Sequence, residues 1–428
     1  MTQPLRLGIA GLGTVGIGVV KIVKQQAALL AARTGREITI SAISARTRDK
    51  DRGVSLSRFA WEDDPVALAT RDDVDVFVEL MGGSDGPAKA ATEAALAAGK
   101  DVVTANKAML AIHGHALAET AEAAGRVIRY EAAVAGGIPV IKALTEGLAA
   151  NRITRVMGVM NGTCNYILTR MEATGQGYNV LFEEAHKLGY LEADPNLDVG
   201  GIDAGHKLAL LSSIAFGTRV DFDGIELEGI QRVSLEDIRH AADMGYKIKL
   251  LGVAQMTGRG LEQRMSPCLV PAGSPLGQLD GGTNMVVIEG DAVGQIVLRG
   301  PGAGEGPTAS AVMADVCDIA RGCRLPVFGQ PASTLTTAQR AQSVLPAPYY
   351  LRMILRDKPG ALAKVAAILG NAGVSIHRMR QYDHVDDKAP VLIVTHKTTR
   401  AALDEALSAI SATDVVTDAP VALRIETV

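Results

Sequence analysis

Leu5-Arg6-Leu7-Gly8-Ile9-Ala10-Gly11-Leu12-Gly13-Thr14-Val15-Gly16 sets an apolar run directly against a glycine turn. Residues 5–10 read as a buried strand, and an apolar helical stretch over residues 15–30 follows at once. In a strand–turn–helix of this kind each glycine has its own task. Gly11 turns the chain, Gly13 lets the backbone approach a pyrophosphate, and Gly16 lets the helix lie close to the strand. The helix N-terminus, with Leu12, Thr14 and Val15 around it, then faces the phosphates. A tight turn without a ligand is the competing interpretation, and the surrounding pattern favours a dinucleotide.

Outward from this turn, short apolar runs at residues 38–44, 74–80, 101–104 and 127–130 alternate with Ala-rich helical segments around 87–98 and 107–124. That alternation predicts a Rossmann-type, doubly wound parallel sheet covered on both faces. The pattern changes from Ile138: a helix over 139–149, a strand over 153–160, two or three helices up to Phe216, then strands over 247–255, 262–269, 284–289 and 294–298. An α+β unit is expected there, and a helix over 307–322 is expected to pack back on the first unit. Pro326, Pro331, Pro346 and Pro348 mark a semi-rigid connector. Residues 349–428 then read strand (349–355), helix (362–372), strand (376–382), strand (391–396), helix (400–411), strand (421–426), the βαββαβ order of a ferredoxin-like domain. The expected division is 1–135, 136–325, a linker 326–348, and 349–428.

Bulk composition narrows the function classes. With 428 residues, a net charge of −4 and 4% aromatic residues, the chain has no basic or basic-aromatic tract for nucleic acid. Apolar runs fall short of the ~18 residues needed to cross a bilayer, and Met1-Thr2-Gln3-Pro4 lacks a signal-peptide pattern, so a cytoplasmic protein with no membrane partner is expected. Cys164, Cys268, Cys317 and Cys323 show neither metal-ligand spacing nor a disulfide framework.

Chemistry concentrates in three places. After the second strand, where an NAD site would hold an acidic residue for the ribose 2′-hydroxyl, stands Ser44-Ala45-Arg46-Thr47-Arg48. Arg46 could pair with a 2′-phosphate, so NADP is expected over NAD, with NAD as the alternative and a solvated loop as the bland interpretation. Lys107 closes Thr104-Ala105-Asn106-Lys107 at the carboxyl edge of the sheet, where ligands of open α/β folds collect. A carboxylate-rich loop with Glu192, Asp194 and Asp198 precedes Asp203 and Lys207, which share one helix face at i and i+4. That pair is either an ordinary surface ion pair or a proton-handling lysine with its orienting carboxylate.

Gly11 to Gly16, Thr104 to Lys107, Glu131 to Ile138, Asn161-Gly162-Thr163, Gly189 to Pro195, Asp203 to Lys207 and Gly302-Ala303-Gly304 together resemble homoserine dehydrogenases, over residues 5 to about 325. The resemblance implies interconversion of L-homoserine and L-aspartate 4-semialdehyde by hydride transfer, in threonine, methionine and isoleucine biosynthesis. It makes 136–325 the catalytic and dimerisation domain of a homodimer or homotetramer. It implies Lys207 as acid/base, its pKa lowered by burial or a cationic neighbour, with Lys107 polarising the substrate oxygen and Asp203 orienting. Glu192 would hold the substrate ammonium, beside Asp198, Thr163 and Tyr190. Gly189, Gly304 and Lys107 would join the cofactor site. Glu131, with the carbonyls of Val134, Gly136 and Ile138, resembles the family's loop for a monovalent cation, sodium or potassium.

Asp357-Lys358-Pro359-Gly360-Ala361-Leu362 and Asn371-Ala372-Gly373-Val374-Ser375-Ile376 resemble the ACT domain, which implies an allosteric amino acid, threonine first, or a dimerisation module alone. Two rival functions stay open: a non-catalytic amino-acid sensor on a dehydrogenase scaffold, and a semialdehyde dehydrogenase using Cys164 as nucleophile. His113, His115, His186 and His206 have no metal spacing and read as packing or surface residues.

Overall fold

The structure is a computed structural model and describes residues 3–382 and 388–427; Met1 and Thr2 of the polar start lie outside the described residues. Strands β1 (Leu5–Ala10), β2 (Ile38–Ser44), β3 (Ala60–Trp61), β4 (Val76–Glu79), β5 (Asp101–Thr104) and β6 (Ile128–Arg129) form one sheet of order β3-β2-β1-β4-β5-β6. Every pairing is parallel. This is the expected Rossmann-type sheet. Strand order reverses between β1 and β4, so their carboxyl ends open the crevice in which such folds bind ligands. The two-residue β3 was not predicted, because so short a piece carries no periodic signal.

The single helix predicted over 15–30 is two helices, Thr14–Gln25 and Ala27–Thr34, set at 80° to each other. Gln26, with φ −115° and ψ 19°, leaves the helical range between them. The bend turns Leu30 into the core, and Gly35 closes the second helix in the left-handed conformation. Helix Glu305–Ala320 lies against Thr14–Gln25: Val19 and Val20 share a core with Ala309, Val312 and Val316, and Lys21 pairs with Glu305 at 2.7 Å. Over 139–149 the predicted helix is one α-turn, Val140–Lys142, followed by a π-helical turn, Ala143–Gly147.

The second sheet contains β7 (Ile153–Val159), β8 (Glu226–Leu227), β9 (Tyr246–Thr257), β10 (Gly260–Pro271), β11 (Thr283–Gly290) and β12 (Gly294–Pro301). It continues through β13 (Tyr349–Arg356), β14 (Ile376–Gln381), β15 (Lys388–Thr395) and β16 (Val421–Ile425), which with helices Ala361–Asn371 and Arg400–Ser411 make the βαββαβ unit. The order is β12-β11-β7-β9-β10-β16-β13-β15-β14, with β8 beside β10. The C-terminal unit is therefore not a body on a connector, because β16 pairs in parallel with β10 at Cys268–Arg424 and Leu269–Ile425.

Buried Glu426 completes that junction. Its carboxylate accepts from Arg155 Nη2 at 2.6 Å and Arg424 Nε at 2.5 Å, and it also pairs with Arg264. The proline-marked segment is likewise fastened to the body, by bridges Thr218–Thr336 and Leu261–Arg340. Prolines fix their own φ but leave the backbone groups between them free to pair. Helix Leu235–Asp243, also unpredicted, begins with a capping box in which Ser234 and Asp237 bond reciprocally.

Candidate active site

A cleft of about 700 Å³ opens between the two sheets. Thr14 and Val15 of the glycine turn, Ala105 and Lys107 beyond β5, and Gly304 and Thr308 at the start of helix Glu305–Ala320 line its first wall. Gly11 has φ 100°, and a Cβ there would stand 2.3 Å from the Leu80 carbonyl oxygen; a Cβ at Gly16 would stand 2.0 Å from the Gly11 oxygen. Both positions exclude a side chain. A Cβ at Gly13 would meet nothing within 4 Å, which leaves the open approach a pyrophosphate needs. Gly13 is also the N-cap of helix Thr14–Gln25, with no side chain capping it, so the first N–H groups of that helix suit an anion.

Leu12 is buried behind this turn, and its carbonyl accepts from Arg52 Nε at 3.2 Å. The same guanidinium donates to the carbonyls of Lys50 (2.8 Å), Arg48 (3.3 Å) and Thr47, tying the loop after β2 to the glycine turn. Arg52 was not foreseen, since a loop arginine carries no motif. Arg46 is exposed on that loop and does not line the cleft, and Arg48 lies 5.7 Å from the Trp61 ring centre.

The opposite wall carries the charge. Helix Ile202–Phe216 presents Asp203 and Lys207, which are 6% and 9% exposed and so not a surface pair. Lys207 Nζ donates to Asp203 Oδ2 at 2.7 Å and to the Met160 carbonyl at 2.8 Å. Lys107 reaches across, its Nζ 3.0 Å from Asp203 Oδ1 and 3.7 Å from Glu192 Oε1. One carboxylate thus bridges two lysines from two domains. Burial alone would raise the Asp203 pKa, but the charges of Lys207 and Lys107 outweigh it and hold the carboxyl well below its ordinary value. Burial alone would lower Lys107, yet Asp203 and Glu192 prevail and raise it. Lys107 is thus a lysine raised rather than lowered by its site, because carboxylates surround it.

Asp198 is buried with both oxygens taken, Oδ1 by Asn161 Nδ2 and Oδ2 by the Glu192 N–H, each at 2.9 Å. Burial raises its pKa despite those bonds. Thr163 Oγ1 donates to the Tyr190 carbonyl at 2.9 Å, and the half-exposed Tyr190 ring meets Tyr166 edge to face at 5.1 Å. Thr163, Gly189, Tyr190, Glu192 and Asp198 all line the cleft. So do Asn161 and Asn284, which the sequence patterns did not single out as site residues.

Cys164 is fully buried and its thiol donates to the Asp198 carbonyl at 3.3 Å. Burial, then Asp198 and Asp203, push its pKa far up, the reverse of an activated nucleophile. Glu131, Val134 and Ile138 lie buried outside the cleft, while Gly136 lines it. Glu131 accepts from the N–H groups of Ile141 and Lys142, each at 2.9 Å, and burial and Asp315 push its pKa up to about 7. Ile138 O already accepts from Val140 N at 2.8 Å, so a cation would share that oxygen and those of Glu131 with backbone donors. A buried acid beside a second acid is nonetheless a setting that a small cation relieves. Among the described residues no group of three or more His, Cys, Asp or Glu could hold a metal.

The sheet reversal, the open glycine turn and a lysine–carboxylate wall facing it define a dinucleotide-dependent dehydrogenase. Residues 11–131 match the homoserine dehydrogenase NAD-binding domain, 139–317 the homoserine dehydrogenase domain and 349–414 the ACT domain. The chain is 43% identical to a homoserine dehydrogenase of Neisseria gonorrhoeae over 437 aligned positions, covering 99% of each. Its fold matches the crystal structure of a homoserine dehydrogenase from Thiobacillus denitrificans with a TM-score of 0.93 at 38% identity, over 99% of both chains. A hyperthermophilic archaeal homoserine dehydrogenase mutant in complex with NADPH matches with a TM-score of 0.62 at 28% identity, over 74% of this chain and 97% of that one. The chain belongs to the homoserine dehydrogenase family: it is an oxidoreductase with an NAD(P)-binding domain and a C-terminal ACT domain. Neither a sensor without catalysis nor a thiol-dependent dehydrogenase fits as well.

Proposed function

We propose that Lys207 takes the hydroxyl proton of L-homoserine as hydride leaves the carbon that bears that hydroxyl, giving L-aspartate 4-semialdehyde, and returns it in reduction. The nicotinamide, when bound, accepts or returns that hydride. Asp203 orients Lys207, and Lys107 polarises the substrate oxygen from the first wall or shares the proton role. Glu192 and Asp203 attract the substrate ammonium, with Asp198, Thr163 and Tyr190 shaping the place for its amino-acid end. A cation seated there competes for the carboxylates that raise the pKa of Lys107, easing proton loss from it. The observation that carries this reading is the single Asp203 carboxylate shared by Lys207 and Lys107 inside the cleft.

Gly11, Gly13, Gly16, Gly189 and Gly304 belong to the cofactor site in this proposal, and Arg46 favours NADP over NAD. The absence of an acidic residue at positions 44–48, directly at the end of β2, supports that preference, as does the NADPH bound to the archaeal relative. Homoserine oxidation assayed with each cofactor tests it: NADP should show the lower KM, and a lower KM for NAD would overturn it. A monovalent cation would be held by Glu131 and the carbonyls of Val134, Gly136 and Ile138 in a structural role. Threonine acting through the ACT domain would slow the enzyme, in a cytoplasmic homodimer or homotetramer serving threonine, methionine and isoleucine biosynthesis. Rates of the full chain against threonine decide the sensor role, and no response would leave the ACT unit as an assembly module.

A further inference from the structure

Asn161 stands where β7 passes into helix Gly162–Thr174, and is 3% exposed. Its Oδ1 accepts from the Cys164 N–H at 2.8 Å, capping that helix. Its Nδ2 donates to Asp198 Oδ1 at 2.9 Å and to Asp203 Oδ2 at 3.2 Å. An amide nitrogen has two N–H groups, one for each carboxylate. Two buried carboxylates set side by side tend to share a proton; a neutral double donor between them favours ionisation of both. Each of the joined acids leads elsewhere. Asp198 holds the backbone N–H of Glu192, and Asp203 holds Lys207, whose other acceptor is the carbonyl of Met160, the neighbour of Asn161.

We infer that Asn161 is a positioning residue of the reaction, fixing the separation of Asp198 and Asp203 and so tying the segment that presents Glu192 to the helix that presents Lys207. The inference rests on the proposed proton-handling role of Lys207 and Asp203. Asp203 is faced by Lys207 and His206 on its own helix, by Lys107 from helix Lys107–Ala123, by Asp198 from the short helix Asn196–Val199 and by Cys164 from helix Gly162–Thr174; Glu192 joins through Lys107. A group that must stay ionised among these sets the acid limb of the pH profile.

Asn161→Asp and Asn161→Ser both keep an oxygen that can cap the helix, so folding survives the test. Asn161→Asp puts a third carboxylate where the donor was, and the acid limb of kcat/KM for homoserine should move up by about one pH unit or more. In Asn161→Ser one hydroxyl proton cannot serve two acids, so the homoserine KM should rise about tenfold while the cofactor KM stays near wild type. A wild-type acid limb in the first variant together with a wild-type homoserine KM in the second would reduce Asn161 to a helix cap and overturn the inference alone. Turnover retained by Lys207→Ala, measured in parallel, would overturn the proton-handling role and this inference with it.

Discussion

The two walls of the cleft are made by opposite means. On the first, beside the single charged side chain of Lys107, the glycine turn is a backbone device: Gly11, Gly13 and Gly16 shape an uncovered helix start from residues close in sequence. On the second, each acting side chain is held by a distant partner, Lys207 by Met160 47 positions away and Asp203 by Asn161 42 positions away. A local turn can be altered at its open position, Gly13, without disturbing its surroundings. A web of buried charges cannot, since removing one member leaves the others without compensation.

The largest expected effect lies on the charged wall. Lys207→Ala should lower kcat by about 100-fold or more, the scale its proposed acid/base role implies, with the cofactor KM little changed. An equal loss in cofactor binding would show that the walls are not separate. On the open turn, Gly13→Val should raise the cofactor KM by about tenfold and leave Tm intact, because a Cβ there meets no protein atom within 4 Å and stands in the space proposed for the pyrophosphate. Gly16→Ala should instead lower Tm, its Cβ colliding with a carbonyl oxygen. A pH series sharpens the contrast further. The folded Asp203 carboxyl lies below its ordinary 3.8, so its ionised form stabilises the fold above that pH and the contribution is lost as pH falls through the lower folded value. Asp203→Asn should therefore flatten the decline of Tm below about pH 4, although it costs stability at neutrality by leaving two lysines uncompensated. The smallest effect is expected at Cys164→Ala, with turnover within about threefold of wild type, since the buried thiol supplies packing and one weak hydrogen bond.

What was legible in the sequence follows the same division. β1, β2 and β5 stand at their predicted bounds and the glycine turn has its predicted form, because neighbours in the chain decide both. The bend at Gln26 was hidden, since apolar runs flank Lys24-Gln25-Gln26 on both sides and no Gly or Pro marks the break, while both helices pack against helix Glu305–Ala320. Asp203 and Lys207 could be paired from their spacing. Nothing in that spacing announced that Lys107 would reach the same carboxylate, or that Arg52 would fasten the loop after β2, as these contacts depend on how separate elements dock. The addition of β16 to β10 was equally invisible: edge pairing between distant strands leaves no periodic mark on either.

That shared edge bears on any attempt to study regulation by shortening the chain. Ending it before residue 349 would bare one side of β10 to other molecules and strip Arg155 and Arg264 of the carboxylate of Glu426, a loss of the order of 3–5 kcal/mol for a buried ion pair. A trimmed enzyme that clumps or melts early would then report damage to its catalytic half, and its silence toward an effector would say nothing about where that effector binds.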